Sequence, residues 1–299
     1  MSQPKICAVV VTYNRLELLK LCIESLKKQT ISLDEILIIN NSSTDGTEEW
    51  LEKQNDLIFI TQRNTGGAGG FHTGIKTAYE KGFDWIWCMD DDVIAHQDAL
   101  EKLLLTERHY YISGQIGFLA SKVLWENGEL NRINLPCLWR NKLVCRIDNV
   151  NNIEKDCQID IASFVSILVS REAIKQVGYP TKEYFIYLDD TEYTLRMLKF
   201  HNFYVVDSIV THLTKSNEES RYLFDSEPEI QKSFYGFRNR IYFFKSKNAK
   251  HLFRIIASFL MHLIKTINYK KHSFFRLLRL TNAAIYGGFF NQLGEYKKW

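Results

Sequence analysis

Apolar and polar positions along the first hundred residues fall into blocks whose period changes from block to block. Ile6 to Val11 is a continuous apolar, β-branched run, as expected for a strand buried on both faces. Leu16, Leu19, Ile23 and Leu26 then recur at helical spacing. Glu35 to Ile39 predicts a second short strand, and Asp45 followed by Glu48 resembles a helix N-cap with its reciprocal acid. Leu57 to Thr61 predicts a third strand. After a glycine-rich turn, a helical pattern through Ile75 and Tyr79 leads into a strand over Asp84 to Met89. This β-α-β-α-β-α-β order predicts an α/β domain with a mainly parallel sheet and helices on both faces.

Residues 110–160 are rich in Asn and show no regular period. Ile159 to Val169 reads as another strand. Tyr184 to Leu188 leads into acids and a helix through Tyr193 and Met197, and Phe203 to Val206 reads as a further strand. From about Glu229 the pattern turns helical, aromatic and basic. A boundary near 225 therefore divides an α/β domain over 1–225 from a helical region over 226–299.

Composition adds a compartment and a charge asymmetry. With 45% hydrophobic and 24% charged residues among 299, wholesale disorder is excluded. Six cysteines show neither a C-x-x-C pair nor zinc-like spacing, which predicts mostly buried free thiols in a reducing cytoplasm. The first apolar run is too short for a signal peptide, and Ile255 to Ile264 falls well short of the roughly 18 residues of a spanning helix. The net charge of +3 conceals a basic tail: Lys245 to Trp299 holds eight Lys and three Arg against Glu295 alone. There Phe253, Ile256, Leu260, Leu263 and Ile264 alternate with Lys250, Arg254, Lys265, Lys270, Lys271, Arg276 and Arg279. This pattern suits an anionic membrane surface, on the inner face of the plasma membrane for a cytoplasmic protein. The same spacing suits packing on its own domain or on a second subunit of an oligomer. No nucleic-acid recognition motif accompanies the charge.

In open parallel sheets, ligands bind beyond the carboxyl ends of the strands. Four polar clusters fall at such ends: Thr12 to Arg15, Asn40 to Ser43, Arg63 to Gly70, and Asp90-Asp91-Asp92. Three successive carboxylates after a buried strand repel one another unless a cation neutralises them, which points to a hard divalent ion such as Mn2+ or Mg2+. The competing reading is an acidic N-terminus of a helix over Val93 to Leu105. Gly66, Gly67, Gly69 and Gly70 either let the backbone approach a phosphate or sugar, or form a flexible turn. Asp189-Asp190 with Glu192 follows the aromatic run Tyr184 to Tyr187. It reads either as a desolvated general base or as a helix cap with an Arg196 surface pair. His212 follows a strand ending at Val210 and becomes a ligand candidate only beside a carboxylate-bound metal.

In this order the segments Val9 to Arg15, Ile39 to Thr47, Asn64 with its glycines, the Asp triplet, Asp189-Asp190 and His212 resemble the inverting nucleotide-sugar glycosyltransferases of family 2, which have the GT-A fold. Asn64 to Gly74 with Met89 to Asp92 is most similar to the galactofuranosyltransferase branch. Tyr235 to Arg240 is similar to an aromatic-Arg-Asn segment that follows the catalytic domain in such polysaccharide enzymes. The resemblance implies a metal-dependent transfer, with UDP-galactofuranose the expected donor and a glycan or lipid-linked glycan the acceptor. Thr12, Asn14 and Arg15 would line the nucleotide pocket, and Asn41 would meet the base where many relatives have Asp. Asn64, Gly66 and Gly67 would sit near the ribose or diphosphate. Asp90, Asp91 and Asp92 would contact the nucleotide, with Asp90, Asp92 and His212 on the metal. Asp190 would be the catalytic base, and Asp189, Tyr187 and Arg238 would border the sugar or acceptor. Leu188 stands where galactofuranosyl enzymes often have Trp, which keeps a dTDP-rhamnose or UDP-hexopyranose enzyme as the alternative. A nucleotidyltransferase, the reading from another class, would need a basic N-terminal glycine loop that Thr12 to Arg15 does not supply.

Overall fold

β1 (Ile6–Thr12) is buried along its whole length, and its alternate residues feed two separate cores. Ile6, Ala8 and Val10 join α1 (Leu16–Lys27), α2 (Thr47–Leu51) and α4 (Ala99–His109) on one face of the sheet. Cys7, Val9 and Val11 join α3 (Gly66–Glu80), α5 (Arg171–Val177) and α6 (Asp189–Leu195) on the other. The period-2 projection of a strand thus makes one apolar run serve both layers. The structure is a computed structural model that describes residues 4–110, 115–147, 153–217, 227–268 and 274–296.

β2 (Glu35–Asn40), β3 (Ile58–Thr61) and β4 (Trp85–Asp90) pair in parallel with β1 in the order β3-β2-β1-β4. The expected α/β order is therefore present. Beyond β4 the sheet becomes mixed. β10 (Ile167–Ser170) runs antiparallel to both β4 and β6 (Ile116–Trp125), and β11 (His201–His212) is parallel to β6. β5 (Val93–Ala95) closes the edge antiparallel to β11. A small hairpin, β7 (Cys137–Arg140) with β8 (Leu143–Arg146), stands apart, and β9 (Cys157–Gln158) pairs with β11.

Several local expectations are revised. The irregular middle contains β6, whose apolar run is broken in sequence by Ser121. In the fold that hydroxyl is satisfied at 2.7 Å by Ser166 and by Ser208. The strand expected over Ile159 to Val169 is regular only from Ile167, after Ser166 takes φ +70. Asp45 Oδ1 accepts from the N–H of Thr47, the first residue of α2, at 3.3 Å, without a reciprocal bond from Glu48 among the described residues. Gly46 stands at the cap, while Asp45 accepts from Leu16 N at 2.9 Å and ties the start of α1. Three of the six free cysteines are buried, Cys7, Cys22 and Cys88; the others are half-buried.

The C-terminal region forms α7 (Glu227–Phe244), α8 (Ala249–Asn268) and α9 (Phe274–Phe289). The boundary near 225 lies outside the described residues. Phe237 stacks on Phe259 with ring centroids 3.7 Å apart, joining α7 to α8. Leu252, Ile255 and Phe259 face this cluster, whereas Phe253, Leu260 and Met261 remain exposed. The side chains of Leu263, Ile264, Lys265, Lys270, Lys271 and Arg276 lie outside the described residues. Trp139, Phe185, Ile186 and Leu188 of the preceding domain pack on the same cluster. None of the described helices is long and apolar enough to cross a membrane.

α3 lies directly on β1: a Cβ at Gly74 would come 2.2 Å from Val9 Cγ1, and one at Gly70 2.4 Å from Val11 Cγ1. Gly74→Ala is accordingly expected to destabilise the fold by about 1–3 kcal/mol through overpacking. Urea unfolding measures this, and an unchanged midpoint would contradict the close approach.

Candidate active site

The parallel register brings the ends of β1 and β4 together. Val11 pairs with Asp90, so Thr12 lies beside Asp91 and donates to its Oδ2 at 2.7 Å. Arg15 bridges the next two acids, with Nη1 3.2 Å from Asp91 Oδ1 and 2.6 Å from Asp92 Oδ2. The triplet does not open a helix, because Val93 to Ala95 form β5 and α4 begins at Ala99. β5 instead sets His212 of β11 opposite Val93, which carries the ring to Asp92, Nε2 to Oδ1 at 2.9 Å.

Asn134 completes this corner, and nothing in its Asn-rich sequence context marks it out. Its Oδ1 lies 2.8 Å from His212 Nδ1, and its amide nitrogen donates to Ser163 Oγ at 2.9 Å. With the amide so assigned, Nδ1 donates to it, and Nε2 faces the carboxylate either as an imidazolium donor or as the lone pair of a metal ligand. Two acceptors at that distance require a proton or a metal ion between them. Asp90, Asp92 and His212 offer ligand atoms that all lie within 4.8 Å of one another. Two carboxylates and one imidazole fit a divalent cation such as Mn2+ or Mg2+.

Burial is the largest influence on all three acidities. Burial, with Asp92 nearby, pushes Asp90 up to about 8. Burial raises Asp91 to about 6 against the pull of Arg15. Burial also opposes ionisation of Asp92, but the His212 hydrogen bond and the His212 and Arg15 charges outweigh it and hold its pKa below the ordinary value.

On the neighbouring strand ends, Asn14 takes φ +53 and its Oδ1 accepts from Thr44 N at 2.7 Å. Asn41 is buried with both ends of its amide engaged, Nδ2 on Gly66 O at 3.2 Å and Oδ1 accepting from Gln62 Nε2 at 2.9 Å. It braces the glycine segment, with one N–H and one oxygen lone pair of the amide left over. That segment is the first turn of α3 and not a flexible turn; Asn64 Oδ1 accepts from Gly66 N at 2.9 Å. Gly66 has φ +73, and a Cβ there would lie 1.9 Å from the Phe185 carbonyl oxygen, so only glycine fits. A Cβ at Gly67 would meet nothing within 4 Å.

Phe185 belongs to the loop that delivers the second acid cluster. Ile186 N donates to Tyr184 O at 2.8 Å across Phe185, which has φ 67 and ψ −60, a strained γ-turn. Tyr187 and Leu188 also have positive φ, 70 and 68, at a cost of about 1–2 kcal/mol each for a non-glycine residue. α6 then starts at Asp189. Burial and the adjacent Asp190 push Asp189 up to about 8, and burial raises Asp190 as well. Arg238 does not border an open pocket. It is 2% exposed and donates to the Tyr184 and Gly294 carbonyls at 3.2 and 2.6 Å.

Among the described residues, no hydrogen bond or ion pair joins Asp190 to the triplet. The two acid clusters are instead linked stepwise. Asp91 holds Thr12, and Asn41 N donates to Thr12 O at 3.0 Å. Asn41 in turn holds Gly66, and Ala68 N donates to Phe185 O at 3.2 Å.

Residues 7–132 match the family described as Glycosyl transferase family 2. A galactofuranosyltransferase of Mycolicibacterium smegmatis, GlfT1, is 27% identical over 201 residues, 65% of each chain. A poly-β-1,6-N-acetyl-D-glucosamine synthase of Staphylococcus aureus is 32% identical over 105 residues, covering 34% of this chain and 25% of its own. The chain thus matches less than two thirds of either relative. A structure of GalNAc-T7 with UDP, GalNAc and Mn2+ superposes with a TM-score of 0.57 at 14% identity, covering 81% of this chain and 48% of its own. One of S. aureus TarS 1-349 with UDP gives 0.55 at 16%, covering 86% and 70%. Residues 7–132 therefore match a glycosyltransferase family 2 domain, and the chain has the GT-A fold, with the Asp triplet at the end of the parallel strand β4.

Proposed function

We propose that the chain is a metal-dependent, inverting glycosyltransferase acting in bacterial surface polysaccharide (O-antigen) synthesis. It would move galactofuranose from UDP-galactofuranose to a hydroxyl of a glycan or lipid-linked glycan. The observation that supports this reading is the presence of two separate acid clusters, one tied to Arg15 and His212, the other at the start of α6 with Asp189 buried and Asp190 half-buried. The GlfT1 relative supports the sugar, and the UDP-bound neighbours support the nucleotide. The synthase relative favours a UDP-hexopyranose as the second reading.

Asp90, Asp92 and His212 would hold the cation, which when bound neutralises charge developing on the diphosphate leaving group. Arg15, bridging Asp91 and Asp92, fixes the orientation of both carboxylates around that position. Asp190 accepts the proton of the acceptor hydroxyl as it attacks the anomeric carbon. One base opposite one leaving group suits a single displacement with inversion. The exposed sides of α8 and α9, with Phe253 (74% exposed), Met261, Tyr286 and Phe290 among Lys250, Arg254 and Arg279, suit an anionic lipid surface on the cytoplasmic face.

A panel of UDP-galactofuranose, UDP-N-acetylglucosamine and dTDP-rhamnose, run with and without chelator, tests the donor and the metal. Transfer from UDP-galactofuranose that chelator abolishes is expected. Asp190→Asn should reduce transfer by roughly 10²–10⁴-fold and leave UDP binding by calorimetry intact; wild-type transfer would remove the base assignment. Because burial raises its pKa, the carboxylate ionises only at higher pH. The rate of the wild-type enzyme should therefore rise with pH through a limb above the ordinary value of about 4.

For the metal, His212→Ala should weaken Mn2+ binding by at least about tenfold in titration, and Asn134→Ala should do so by roughly 10–100-fold through loss of ring orientation. Equal affinities would exclude the Asp-Asp-His site. Finally, Phe253→Ser should lower cosedimentation with phosphatidylglycerol vesicles about tenfold, the worth of one buried aromatic side chain. Unchanged sedimentation would dismiss the lipid surface.

A further inference from the structure

The loop that carries Asp189 and Asp190 has a strained backbone and sits against a helix from outside the matched family 2 region. Phe185, Tyr187 and Leu188 all have φ near +70, a conformation that side-chain-bearing residues keep only when their surroundings impose it. Arg238 bonds the Tyr184 carbonyl and Ala68 N bonds that of Phe185, but the group that reaches most of the loop is one carboxamide. Asn239 of α7 is fully buried, and its Nδ2 reaches the carbonyls of Tyr184, Ile186 and Tyr187 at 3.0, 2.8 and 3.0 Å. Three acceptors on one amide nitrogen draw the loop into a tight ring around it.

Arg238 decides which way that amide points. Its Nε and Nη2 donate to Asn239 Oδ1 at 3.1 and 2.9 Å, which leaves only the donor end for the loop. The guanidinium is itself held by the Gly294 carbonyl and lies 4.9 Å from the Tyr235 ring centre. Tyr235 in turn stacks on Phe185, with ring centroids 4.7 Å apart. No carboxylate is among these partners, and burial lowers the Arg238 pKa to about 10. A buried arginine used in this way serves the geometry of its neighbours.

The geometry points to Asn239 as a positioning residue for the reaction: oriented by Arg238, it holds the Tyr184–Leu188 turn so that the carboxylate of Asp190 meets the acceptor hydroxyl. The inference rests on Asp190 being the base. It adds that the C-terminal helices set the catalytic geometry, in addition to any contact with lipid. A misplacement of about 1 Å at such a base costs on the order of 10²-fold in rate.

Asn239→Asp is the discriminating change. It is nearly isosteric and keeps its bond to Arg238, yet it turns an acceptor oxygen toward three carbonyl oxygens. In the full-length protein, with UDP-sugar donor and glycan acceptor, kcat is expected to fall at least tenfold. The donor KM and UDP affinity should stay within about threefold; the melting temperature should fall, because three buried carbonyls lose their donor, with the protein still folded at the assay temperature. Arg238→Lys keeps the charge but loses the fork that orients the amide, and a smaller fall in kcat with the same KM is expected. An unchanged kcat in Asn239→Asp overturns the inference. So does a parallel loss of UDP binding and folding in both variants, which would make the pair a general core contact. Asp190→Asn separates the two readings: activity in that variant removes the base itself, whereas an inactive Asp190→Asn beside a fully active Asn239→Asp removes only the positioning role.

Discussion

Three ionisable carboxyl groups in succession at the end of a strand buried on both faces form the constraint to which the rest of the site responds. Each would repel the next, and each loses hydration as the sheet closes over it. The chain answers with a different partner for each requirement. A hydroxyl from the adjoining strand takes Asp91, an arginine spans Asp91 and Asp92, and an imidazole closes on Asp92 from the far edge of the sheet. None of these groups is close in sequence to its acid. The parallel pairing of β1 with β4 and the antiparallel pairing of β5 with β11 bring them there.

Much of this was legible in the residues. The run Ile6 to Val11 announced a strand covered on both sides, and the change of period after it announced the helix, because burial on two faces leaves no polar positions to alternate. The convergence of four polar clusters followed from parallel topology alone. The half of the sheet beyond β4 was harder to read. β6 hides behind a buried serine whose partners, Ser166 and Ser208, are distant in sequence. Asn134 and Gln62 carry no local signal, since an asparagine or glutamine that orients another side chain looks like any surface amide until the fold closes. For the glycine segment the sequence leaves open a close approach to a phosphate or sugar and a flexible turn. In the fold Gly70 and Gly74 let α3 lie against β1, and Gly66 makes room for the Phe185 carbonyl.

Arg238 shows a different limit. An arginine in an aromatic segment suggests a ligand-facing cation, yet this one is turned inward onto main-chain carbonyls. Its environment was set by the strained turn at Tyr184 to Leu188, and positive φ at aromatic and leucine positions cannot be anticipated from composition. The three C-terminal helices therefore share a packed cluster with the loop that bears the second acid pair. Whatever boundary separates the two parts of the chain, Phe185, Ile186 and Leu188 beside the second acid pair pack on the C-terminal helices.

The contact between Gly66 and Phe185 has a consequence for modularity. The two segments are more than a hundred positions apart, and the backbone oxygen of one occupies the space where the other would carry its β-carbon. A hybrid that grafted a foreign C-terminal half onto this N-terminal half would inherit that steric lock. It would retain its turn geometry only if both sides of the seam were exchanged together. Recombination within this architecture is thus expected to respect the seam, with crossover points falling outside the span from the glycine helix to the acid pair.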